Sequence, residues 1–66
     1  MTPEEVQNLI NKTNELRRLN PALRQGQALM NTLWVWHREV YNQISGTDAD
    51  PFYVDANIER FMAIIQ

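Results

Sequence analysis

Residues 23–44 read LRQGQALMNTLWVWHREVYNQI, and the spacing of their apolar positions decides the fold. Leu23, Gly26, Met30, Leu33, His37, Val40 and Ile44 recur at alternating steps of three and four. At ~100° per residue these positions form one helical stripe, widened by Ala22, Leu29 and Trp36 on one flank. Trp34 and Tyr41 fall together at the other margin. Val35 points nearly opposite, among Asn31, Arg38 and Asn42. Asn20 and Pro21 offer a cap and a first-turn proline, and Ser45-Gly46 offers a stop in which glycine takes the left-handed conformation. One long helix over about 21–45 is the expectation.

Outward from this helix, the flanks are helical too. Thr2-Pro3-Glu4-Glu5 is a helix start in which Thr2 caps, Pro3 takes the first position and Glu5 completes a capping box. Val6, Leu9, Ile10, Thr13 and Leu16 follow on one face, and the residue before Pro21 ends the helix. Toward the C-terminus, Asp50-Pro51 is read as opening a short helical turn near 51–54 that sets Phe52 and Tyr53 against the core. Asp55 is read as the cap of a last helix whose face is Ile58, Phe61, Met62 and Ile65. The expected architecture is all-α: one compact three-helix domain over 1–66, with helices at about 3–19, 21–45 and 55–65.

Size bounds what such a domain does. A chain of 66 residues buries only about 60% of the surface its unfolded form exposes. It has no cysteine, which excludes disulfides and thiolate zinc sites and fits a cytoplasmic protein. Acids stand where a signal peptide would have basic residues, and no apolar run approaches the ~20 residues of a membrane span. No membrane association is expected. The net charge is −2 but unevenly spread: residues 1–46 carry five basic and four acidic groups, residues 47–66 one basic and four acidic.

The histidine and the tryptophans invite a functional reading. His37 lies inside the apolar stripe, where Leu33, Val40 and Ile44 neither orient nor activate an imidazole; a structural role is expected, against a pH-sensitive contact, catalysis or metal binding. Trp36 is expected to pack inward. Trp34 and Tyr41, with Val35 and Arg38 on the adjoining outer face, are the candidates for contact with another chain, because aromatic and arginine side chains are enriched at binding hot spots. Gly26 and Ala22 form a small-residue notch, read as a close approach of the first helix or as a kink near 24–27.

Other chemistries find little support. Asp48, Asp50 and Glu59 occupy three positions of a calcium-loop template, but Phe52 stands where a ligand belongs and Tyr53 where the turn needs glycine. Phosphate-loop and dinucleotide motifs are absent, and the single serine, Ser45, has no nucleophile-elbow glycines around it. No catalytic residue, metal ligand or cofactor is expected. Arg17, Arg18 and Arg24 flank the turn between the first two helices, where they could converge. With Arg38 they are the alternative, phosphate-binding surface of a nucleic-acid-associated regulator.

The segments LRQGQALMNTL and ISGTDADPFYVDANIERFM resemble small helical proteins of bacteriophages and prophages. Those pair an L-R-x-G-Q-A-L-x-N helix with a D-x-D-P-F-Y connector and an I-x-x-F last helix. The matching residues are Leu23, Arg24, Gly26, Gln27, Ala28, Leu29 and Asn31, then Asp48, Asp50, Pro51, Phe52, Tyr53, Ile58 and Phe61. The resemblance spans about residues 23–62 and carries no functional residue onto this chain. It implies a phage-type accessory protein in the bacterial host cytoplasm. With the aromatic margin, the expected role is a non-enzymatic interaction module that binds a host or phage protein or self-associates.

Overall fold

Thr2 and Glu5 open α1 (Pro3–Leu19) as a reciprocal pair. Thr2 Oγ1 accepts the Glu5 N–H at 3.1 Å, and Glu5 Oε1 accepts the Thr2 N–H at 2.8 Å. Both N–H groups would otherwise lack a partner at the helix start. The computed structural model describes residues 1–66. After α1 it contains α2 (Gln25–Trp36), α3 (Arg38–Ile44), a 3₁₀ turn (Asp55–Asn57) and α4 (Ile58–Ile65). The fold is all-α, as the periodicity requires. Its middle helix differs from the expected 21–45 rod at its start and in the middle, whereas its end is as read, with Ser45 the cap and Gly46 at φ 81°.

At the start, Asn20 ends α1 instead of capping α2: its N–H donates to the Leu16 carbonyl at 2.9 Å. Leu23 N–H then donates to the Asn20 carbonyl at 3.0 Å, closing a turn over residues 20–23. The helix begins only after Arg24, where acceptors for its first N–H groups exist. Gln27 Oε1 accepts the Arg24 N–H at 3.0 Å, and Asp55 Oδ1 accepts the Gly26 N–H at 3.1 Å.

In the middle, His37 breaks the rod, with φ −142° and ψ 63°. A straight helix over 21–45 would be ~37 Å long at 1.5 Å per residue. The molecule's longest extent is 26 Å. One end of the apolar stripe would therefore have projected past α1 uncovered. Bending at His37 keeps Leu33 and Ile44 in the same core, at 0% and 1% exposure. The break also leaves Trp36, expected to pack inward, on the outside at 60% exposure.

The connector departs from expectation as well. No helical turn forms at 51–54. The Asp50 carboxylate instead accepts the Gly46 N–H (2.9 Å) and the Phe52 N–H (2.9 Å), folding the loop around its own side chain. Pro51 is buried and Phe52 leans on the core, but Tyr53 is 82% exposed. Asp55 does not cap α4; it sits inside the 3₁₀ turn and turns toward α2.

Gly26 explains why the connector lies so close. A Cβ there would stand 1.9 Å from the Pro51 carbonyl oxygen and 2.7 Å from Asp55 Oδ1. Gly26 thus receives the connector, where the sequence suggested the first helix or a kink near 24–27. Beneath it lies the core: Val6 and Leu9 from α1, Leu29, Met30 and Leu33 from α2, Ile44, Ala49, and Phe61 and Ile65 from α4.

Candidate functional site

Trp34 and Arg38 stand one helical turn apart across the His37 break. Trp34 belongs to the last turn of α2, where carbonyls lack intrahelical partners. Arg38 reaches back and donates its Nε–H to the Trp34 carbonyl at 2.7 Å. The same movement lays the guanidinium over the Trp34 indole, Cζ 3.7 Å from the ring centroid. This cation–π contact holds a half-exposed tryptophan and a solvent-facing arginine in one arrangement.

Beside this stack lies a shallow groove of about 480 Å³ lined by Asn31, Trp34, Val35, Tyr41 and Phe52. A second groove, of about 210 Å³, adjoins it and shares Tyr41 and Phe52 as walls. Three of the four expected contact residues, Trp34, Val35 and Tyr41, line the first groove, and the fourth, Arg38, borders it through Trp34. Trp34 is 49% and Val35 62% exposed, whereas Tyr41 is half-buried against the core. Phe52 was outside the expected set. It comes from the connector, where helical periodicity carries no signal, and the sequence reading set it against the core.

Trp36 forms a separate patch. Lys12 Nζ from α1 lies 4.8 Å from its ring centroid. Near it a cleft is lined by Met1, Glu5, Trp36, His37, Arg38, Glu39 and Val40. His37, half-buried here, meets this cleft. Glu5 is held below the ordinary glutamate value, first by the Thr2 backbone N–H, then by the Thr2 hydroxyl, with smaller contributions from His37 and the N-terminus against a slight opposing burial.

Of the arginine set of the alternative reading, two are paired with carboxylates, and one of these, Arg24, joins two elements. Arg18 pairs with Glu15, which lowers the Glu15 carboxyl and raises the guanidinium. Arg24 turns toward the connector, donating from Nη2 to the Phe52 carbonyl at 2.6 Å and from Nη1 to Asp55 at 3.2 Å. Only Arg17 of the three has no ion pair. Asp48 pairs with Arg60 at 3.5 Å, and both Asp50 oxygens accept backbone N–H groups.

No family model matches this chain, and neither a curated protein nor a solved structure matches it.

Proposed function

We propose that this chain is a small, non-enzymatic protein-interaction module that uses the face built from Trp34, Val35, Arg38 and Tyr41, extended by Phe52. One observation carries the reading: an aromatic groove stays open beside a fixed Trp–Arg stack, while the core is filled by other side chains. Large rigid side chains already held in place lose little entropy on binding, and Trp, Tyr and Arg dominate interface energetics. The likeness of residues 23–62 to phage and prophage proteins extends the proposal to an accessory protein binding a host or phage factor in the bacterial cytoplasm. The arginine alternative has less support, since Arg18 and Arg24 of its set are paired with carboxylates.

The test is Trp34→Ala. Helical circular dichroism is expected to persist and stability to fall by only about 1 kcal/mol, the worth of an exposed cation–π contact with its packing. The partner recovered from bacterial lysate by the tagged wild type is expected to be lost. Retention of that partner, or collapse of the fold, would overturn the assignment of this face.

A further inference from the structure

We infer that the Trp34 groove takes an acidic, apolar peptide segment of a partner protein, with a carboxylate on Arg38 and a neighbouring apolar side chain between Trp34, Val35, Tyr41 and Phe52. This rests on the interaction reading above and names the partner's chemistry.

Charge complementarity carries it. Arg38 is the charge bordering this groove that has no carboxylate partner; the ion pairs of the molecule lie at Arg18, Arg24 and Arg60. Glu5 and Glu39 line the cleft on its other side, yet neither pairs with it. Asp50, which lines the adjoining groove, has both oxygens engaged by backbone N–H groups. The groove walls themselves bear no charge. An acidic segment therefore gains an ion pair here, and a basic one meets a like charge.

Geometry selects a carboxylate in particular. Arg38 is held at Nε by the Trp34 carbonyl and across its face by the indole. Nη1 and Nη2 remain, and together they form the planar end-on fork that fits two carboxylate oxygens. The side chain is already immobilised, so pairing costs little further rotamer entropy. In an extended segment, side chains two positions apart face the same way about 7 Å apart. One acid and one leucine or phenylalanine at that spacing reach from the fork into the groove. Asn31, on the groove wall, offers an amide to the peptide backbone. A nucleic-acid strand finds one fork here and groove walls that carry no further charge to neutralise its phosphates.

The experiment titrates the isotope-labelled full chain with synthetic peptides in which glutamate or aspartate stands two residues from leucine or phenylalanine. Matched peptides carry glutamine or lysine in place of the acid, and a single-stranded oligonucleotide is run alongside. Acidic peptides are expected to shift the Trp34 indole and Arg38 Nε–H resonances. Arg38→Gln should weaken them about tenfold or more, the effect of losing charge-assisted hydrogen bonds, and Arg38→Lys should restore only part of this because it has no fork. Neutral or basic peptides binding as tightly, preference for the oligonucleotide, shifts caused only by self-association, or no response at these resonances would each overturn the inference. A lysate partner lost with Trp34→Ala but kept with folded Arg38→Gln would overturn it while leaving the interaction module standing.

Discussion

Asp55 caps α2 from across the molecule: its Oδ1 accepts the Gly26 N–H at 3.1 Å, although the two residues are 29 positions apart. The residue at the cap position itself is Arg24, whose side chain has no acceptor. A carboxylate from the connector thus supplies what a local Ser, Thr, Asp or Asn usually provides, and places negative charge at the positive end of the helix. Arg24 closes the joint from the other side, bridging to Asp55 and to the Phe52 carbonyl. Asp55→Ala should therefore cost about 1–2 kcal/mol, at the upper range of a lost cap because the connector loosens with it. Asp55→Asn, which keeps the acceptor, should cost less. Urea denaturation of the two variants checks the order.

Gly26 is the other half of that joint. In a bare helix, alanine would be favoured over glycine by about 1 kcal/mol. Here a Cβ would fall 1.9 Å from the Pro51 carbonyl oxygen, which is backbone and moves only with the connector. Clash outweighs propensity, and Gly26→Ala should destabilise by about 1–3 kcal/mol, as overpacking does. Alanine at the exposed Gln25 serves as the control for propensity alone. Thermal unfolding of both variants separates the two effects, and an unchanged Gly26→Ala protein would refute the close approach.

The helical faces were legible in the sequence because periodicity reports which side of a helix meets the core. Val6, Leu9 and Thr13, then Met30, Leu33 and Ile44, then Phe61 and Ile65 are buried as their spacing requires. The ends of α2 were not legible, because distant groups set them. Asp55 meets the start, and the break at His37 brings Ile44 back into the core that Leu33 occupies. The same limit applies to the proposed site. Trp34, Val35, Arg38 and Tyr41 were readable as one margin of a helix, but Phe52 arrives through a loop whose path depends on Asp50 and Gly26. Arg24 and Gly26 lock the connector to α2 at Phe52 and Pro51, and Asp50 folds the connector around its own carboxylate.

Acid sensitivity should localise to the start of α1. Glu5 titrates below its ordinary value because the Thr2 backbone N–H, and then its hydroxyl, favour the carboxylate. A group depressed in the folded state contributes its stability above the unfolded value and loses it as pH falls through the folded value. Wild-type stability should therefore decline as pH drops through the acid side of the glutamate range. Glu15, lowered first by its hydrogen bond to Arg18, adds to the decline. Glu5→Gln preserves an acceptor for Thr2 but does not titrate, so its stability should vary less with pH over that window. Carboxyl titration by NMR together with melts at several pH values tests the assignment; an identical pH profile in the variant would remove Glu5 as its source.

Thr13 sits in the α1 face that meets the core, at 2% exposure, and its Oγ1 has no hydrogen-bond partner. A buried hydroxyl without a partner forfeits its hydration and gains nothing in return, at a cost of about 1–3 kcal/mol. Valine has nearly the same shape and carries no polar atom, and its helix propensity is close to that of threonine. Thr13→Val should therefore stabilise the fold by about 1 kcal/mol, the direction opposite to most core substitutions. Thr13→Ser keeps the hydroxyl and deletes a methyl group, so it should destabilise. The pair distinguishes polarity from packing: if both variants lose stability, the hydroxyl has a partner and the unpaired assignment fails.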